Sequence, residues 1–200
     1  MNRLDRIKCD MCGRVIDTFG YLKLSDGYIC TDCAKLISPL LKNRKSANVD
    51  YIRRHIEYRK NNEERLSDFK PEIRYGYDKK IYIDPSIFSF LVTSKLEKDI
   101  KIGNPDIISF ADVKTCDTSI REYTNRRKEA LYDFTITIGL DNEWFDEVSV
   151  KLNADSIQGT DNRLYHKCKS DSKQLKDMLL PDKSFSASIN RINPRGIFRL

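Results

Sequence analysis

Cys9-Asp10-Met11-Cys12-Gly13 and Cys30-Thr31-Asp32-Cys33 decide how this chain is read. Seventeen residues separate Cys12 from Cys30. Two CxxC pairs at this separation are the pattern of a structural zinc site. Zinc(II) takes four ligands in a tetrahedron, and thiolates suit it. Each CxxC turn aims two sulfurs at one point. Gly13 follows the first pair, where the chain must bend tightly and a side chain would obstruct. Two disulfides or a redox CxxC are the competing readings. The second CxxC and the lack of a βαβ pattern argue against both. With Cys9, Cys12, Cys30 and Cys33 as ligands of one Zn2+, no coordination position is left for water or substrate, which favours a structural ion over a catalytic one.

Between the pairs runs Tyr21-Leu-Lys-Leu-Ser-Asp-Gly-Tyr-Ile-Cys30. Leu22 and Leu24 alternate with polar neighbours, and Asp26-Gly27 is a hairpin turn signal. Cys33 then opens a short helix through Ile37, with Thr31 or Asp32 as its cap and Pro39 as its stop. Knuckle, hairpin and helix in this order make a treble-clef arrangement over residues 1–45. So small a unit cannot bury a sufficient core alone. The metal supplies the balance, on the order of 10–16 kcal/mol apparent in small zinc units. Chelation is therefore expected to unfold this part and leave the rest standing.

The net charge of +6 is unevenly spread. Residues 42–60 carry Lys42, Arg44, Lys45, Arg53, Arg54, Arg59 and Lys60 against only Asp50 and Glu57. Residues 42–47 read as a linker. A helix follows from Asn48 to about Arg65, with Val49, Ile52 and Ile56 at helical spacing. Asp50 with Arg54, and Arg53 with Glu57, sit four apart and can pair on its surface. Tyr51, His55 and Tyr58 widen its covered face. His55 reads as a packed or surface histidine, since the zinc site already has four sulfurs.

From Phe69 the period changes to two. Ile73, Tyr75 and Tyr77 alternate with polar residues. Asp78-Lys-Lys makes a turn before Ile81-Tyr-Ile83, and Asp84-Pro85 stops that strand. Ile87–Val92 reads as the next strand, Gly103-Asn104-Pro105 as a turn, and 106–113 as a strand or a turn of helix. Tyr132, Phe134, Ile136 and Ile138 share one face, and Val148, Val150 and Leu152 share a face of a following strand. Together they signal an antiparallel hairpin joined through Leu140–Phe145. Ser170–Leu180 reads as a helix capped by Ser170 or Ser172. The fold class is thus α+β. It comprises a zinc unit at 1–45, a basic linking helix at 46–69, an antiparallel β-roll of six or seven strands with a closing helix at 70–180, and a flexible tail at 181–200. In that tail Ile197, Phe198 and Leu200 could dock on a sheet edge. A pleckstrin-homology-like roll and an unrelated small barrel both fit the pattern.

Cys9-x-x-Cys12-Gly13, the Asp26-Gly27 turn and Ile29-Cys30-x-x-Cys33-Ala34-Lys35 resemble a bacterial and phage four-cysteine domain, domain of unknown function 4428. Ile81-Tyr-Ile-Asp84 and Ile107-Ile-Ser-Phe-Ala-Asp112-Val are similar to the β-rich region that follows such domains. The resemblance implies zinc at the four matching cysteines and supports the pleckstrin-homology-like roll. It implies no activity.

Hydrophobic content of 40% against 33% charged residues suits a soluble globular chain. Met1–Lys8 lacks the apolar core of a signal peptide, and no run approaches the roughly 18 apolar residues of a membrane span. A cytoplasmic, reducing location is expected, with Cys116 and Cys168 as inert thiols. A closed metal site and a roll with edges and loops point to an adaptor that binds a protein partner. The alternative is nucleic-acid binding by the seven cations of 42–60, with Tyr51 and Tyr58 to stack on bases. An enzyme is not expected. His166-Lys-Cys168 would place an imidazole and a thiol on one side of a strand, a weak nucleophile signal with no phosphate loop or carboxylate pair beside it. Membrane-surface binding by basic loops of the roll is the remaining reading.

Overall fold

Asp26 and Gly27 close the first hairpin in the computed structural model, which describes residues 7–16 and 20–180. Strands β1 (Tyr21–Lys23) and β2 (Tyr28–Cys30) pair antiparallel, with Leu22 opposite Ile29. A Cβ on Gly27 would lie 2.5 Å from Asp10 Oδ2 and 2.7 Å from Val49 Cγ2. Only glycine lets the hairpin tip pass between the knuckle and the next helix. Helix α1 (Thr31–Lys35) follows β2 directly, and its N-cap is Cys30, without a side-chain cap. The expected capping by Thr31 or Asp32 is corrected accordingly, because both already lie inside the helix.

Helix α2 spans Val49–Asp68, three residues past the expected end. Its first turn is capped twice. Asn48 Oδ1 accepts from Tyr51 N at 2.8 Å, and Asp26 Oδ1 of the hairpin turn accepts from Val49 N at 2.8 Å. The buried stripe is Ile52, His55, Ile56, Arg59, Asn62 and Leu66. Half of that stripe is polar, so the apolar period fades before the helix ends.

Eight strands follow in two antiparallel sheets, against an expectation of six or seven. The first sheet runs β3 (Ile73–Tyr75), β4 (Lys80–Asp84), β5 (Ser89–Thr93), β6 (Ile107–Ser109) in chain order. Pro85–Ile87 forms a short 3-10 turn, with Asp84 accepting from Ser86 N, so β5 begins at Ser89 rather than Ile87. The second sheet is built on β8 (Ala130–Leu140), with β7 (Val113–Thr124) on one side. On the other side lie β9 (Glu147–Lys151) and β10 (Ile157–Gln158). The expected hairpin is the β8–β9 pair, with Ile136 opposite Val150 and Ile138 opposite Val148.

Period two explains how both sheets are buried. Ile81, Ile83, Phe90 and Ile108 of the first sheet meet Ile136, Ile138, Val148 and Val150 of the second in one core, which Leu175 and Leu179 of helix α3 (Arg163–Leu179) complete. The alternate residues Tyr82, Leu91 and Ile107 pack with Leu66 and Phe69 at the end of α2. The first sheet is therefore covered on both faces. Helix α3 starts seven residues before the expected Ser170, capped by Asn162 Oδ1 accepting from Leu164 N at 2.8 Å. The reading of 181–200 as a tail lies outside the described residues.

Candidate metal centre

The knuckle forms because the chain reverses between Lys8 and Val15, which bridge antiparallel. Cys9 N donates to Arg14 O and Gly13 N donates to Cys9 O, both at 2.8 Å. Gly13 has φ +72°, and a Cβ there would meet nothing within 4 Å. Glycine is required for the left-handed backbone, not for lack of room as expected. Asp10 fastens the knuckle to β2: its carboxylate accepts from Tyr28 N at 2.7 Å, and its own N donates to Tyr28 O.

This places Cys9 and Cys12 on the knuckle, Cys30 at the end of β2 and Cys33 in α1. All four Sγ atoms lie within 4.8 Å of one another. Cys9 to Cys33 and Cys12 to Cys30 are each 3.8 Å. A tetrahedron of sulfurs at about 2.3 Å from zinc has edges of about 3.8 Å, whereas a disulfide would need about 2.05 Å. The four expected ligands are thus brought together, at metal-binding and not at disulfide separation. Cys9, Cys30 and Cys33 are buried, and Cys12 is exposed. Burial alone would raise the Cys9 thiol, but the N–H groups of Cys30, Cys12 and Met11 bring it down to about 6. Burial and hydrogen bonding to the neighbouring sulfurs push Cys33 up.

A buried polar junction joins this unit to the rest, and sequence reasoning missed it. Ser38, just past α1, is fully buried. Its N donates to His55 Nε2 at 3.1 Å, and its Oγ donates to Asp106 Oδ2 at 2.5 Å. Asp106 Oδ1 accepts from Arg59 Nη1 at 2.8 Å. Arg59 also donates to the carbonyls of Asn104 and Gly103, while Asn62 Nδ2 donates to Asn104 Oδ1 and to Pro105 O. Burial, with Arg59 and Arg44 nearby, holds His55 at about 4, so it is neutral and accepts at Nε2. Beside it, Trp144 packs at a tilt among Tyr51, His55 and Tyr58 with ring centroids 5.1 to 5.6 Å apart. Trp144, the single tryptophan, touches both the core of the cysteine unit and that of the sheets. The only sequence hint was the Gly103-Asn104-Pro105 turn, and nothing in it names Ser38.

Arg59 is buried and ion-paired, which removes it from the expected phosphate-contacting surface. Lys42 Nζ donates to Asn142 O at 2.6 Å and pairs with Asp146. Arg53 pairs with Asp50, Arg54 with Asp50 and Glu143, and Lys60 with Glu57. Arg44 and Lys45 have no carboxylate partner among the described residues. Cys116 and Cys168 are buried, and burial raises both thiols, Cys116 to about 11. The expected His166–Cys168 alignment is corrected: both residues sit on α3, where positions two apart point about 200° apart, and His166 is exposed while Cys168 faces the core. Among the described residues no helix is long and apolar enough to cross a membrane.

A four-sulfur centre on a knuckle, hairpin and helix defines this chain's N-terminal part. Residues 8–55 match the family model described as a domain of unknown function, DUF4428. That span runs from the residue before Cys9 to His55, so it holds all four cysteines and the first two turns of α2. No curated protein and no solved structure matches the chain.

Proposed function

We propose that Cys9, Cys12, Cys30 and Cys33 hold one structural Zn2+ in a treble clef, and that the protein is a binding module for a protein partner. What carries the reading is the pair of 3.8 Å sulfur separations in a closed set of four thiols. Zinc is preferred because an all-sulfur tetrahedron suits it and leaves no open position. The order of elements after Ile73, a four-strand meander, a second sheet and a closing helix, supports a pleckstrin-homology-like roll. A non-catalytic role is favoured because the metal has no free position and His166 and Cys168 face apart. Arg59 is buried against Asp106 and so lost to a phosphate-contacting surface, and no base-reading motif accompanies the other six cations, so a protein surface is the preferred target over nucleic acid. Metal analysis and cobalt substitution test the core of this reading. One metal ion per chain, with the visible spectrum of tetrahedral cobalt thiolate, is expected. A substoichiometric or octahedral site overturns it.

A further inference from the structure

A groove of about 560 Å³ lies where the cysteine unit, α2 and the 101–104 loop meet. Its floor is aliphatic, from Ile56 and Leu66 of α2 and Leu36 at the end of α1. Its rim carries Lys35, Lys60 and Lys101, with Glu63 as the sole carboxylate among its lining residues. Arg59 forms part of the wall, matched by Asp106, and its buried Nε has no hydrogen-bond partner.

Three features limit what fits here. Lys35 and Lys60 make only exposed pairs, with Asp32 and Glu57, and such solvated pairs are weak, so their charge remains available to an incoming anion. Leu36 is 52% exposed, an apolar surface that water covers in the free chain. No aromatic ring lines the groove, so bases would find nothing to stack on, and an aliphatic floor instead suits aliphatic side chains. A lysine rim over an aliphatic floor is complementary to a segment that alternates carboxylates with leucine-like residues.

We infer that this groove receives an acidic peptide segment bearing aliphatic side chains, supplied by the protein partner. The inference rests on the binding-module reading and gives it a location and a chemistry. Because Lys35 and Leu36 come from the cysteine unit and Lys101 from the β-rich region, the groove exists only while the two are docked.

The test is panning of the zinc-loaded full-length chain against a phage library of random peptides about twelve residues long. Zinc content and melting temperature are measured on every sample. Enrichment of peptides rich in Glu or Asp and Leu or Ile is expected. Their affinity should fall about tenfold in Lys60→Glu/Lys101→Glu and in Leu36→Asp. Both variants change exposed side chains and should keep their metal and melting temperature. Enriched peptides without acidic residues, undiminished binding to the variants, or no enrichment overturns the inference. So does a fluorescent oligothymidylate that binds more tightly than the peptides and is lost in the same double variant. Acidic peptides that bind a chain found to hold no zinc would leave the groove standing and sink the metal reading alone.

Discussion

The two ends of the described chain are held by different means. The cysteine unit has one small core, in which Cys9, Cys30 and Cys33 are themselves buried members, packed with Ile29, Ile37, Ile52 and few others. The β-rich region has a core from two sheets and a helix, centred on Ile83, Phe90, Ile136 and Leu175, and second clusters around Tyr82 and Phe134. The first brings four sulfurs to one point; the second rests on apolar packing between two sheets and a helix. Between them lies a seam that is mostly polar and aromatic. A unit held by a metal on the four cysteines is expected to fail all at once when one of them goes, whereas a hydrophobic core loses stability one side chain at a time.

The harshest way to break that contrast is Cys30→Ser. It removes a ligand worth a large part of an apparent binding energy on the order of 10–16 kcal/mol in small zinc units. Metal content should drop to zero and Trp144 emission should shift as its His55 and Tyr51 neighbours loosen. The far-UV signal of the β-strands should remain. Simultaneous loss of the strand signal would show that the two regions are one cooperative unit.

The seam itself is probed by Arg59→Met, which leaves Asp106 buried and unpaired. Breaking a buried pair from one side costs about 3–5 kcal/mol, and replacing both partners restores part of it, since Ser38 Oγ then loses its acceptor. Urea denaturation should therefore rank the wild type first, Arg59→Met/Asp106→Leu second and the single variant last. Equal stability of all three would mean that the junction does not couple the regions.

Acidification sharpens the same point. His55 titrates near 4 when folded, chiefly because burial disfavours its cation, and near 6.5 when unfolded. Its folded value is depressed, so the unfolded chain binds the proton first. Stability is full above pH 6.5, falls as the pH drops from 6.5 to 4, and levels off for this group below that. The loss is up to about 3 kcal/mol. In His55→Gln that slope should flatten, measured as urea midpoints across the window. An unchanged slope would assign it to other groups. The smallest effect is expected at the helix start: Asn48→Ala should cost about 1 kcal/mol, read from the denaturation midpoint.

What could be read in advance followed range along the chain. The cysteine set, the Asp26-Gly27 turn, the start of α2 and the β8–β9 hairpin each announce themselves within about twenty-five residues. Strand β7 did not, although it is the longest: Lys114, Asp117, Ser119, Arg121 and Glu122 face water, and only Cys116 is buried. An edge strand with one buried residue has no apolar alternation to find. Arg59 was misread for a related reason. Its burial depends on Asp106, 47 residues away, and Ser38 depends on the same carboxylate across 68. A charge looks like a surface feature until the group that neutralises it is brought into place by the fold.

The aromatic seam has one more consequence, for anyone who would treat residues 8–55 as a portable part. The sequence match ends at His55, but the wall against which Tyr51 and His55 pack is Trp144, and Tyr51 donates its hydroxyl to Glu143 O. A fragment cut at the family boundary would carry its four cysteines and its hairpin, yet leave a raw apolar flank where the loop before β9 used to lie. Transplanting the module means bringing a substitute for that loop, so the recurring unit of sequence is smaller than the smallest unit that is finished on all sides.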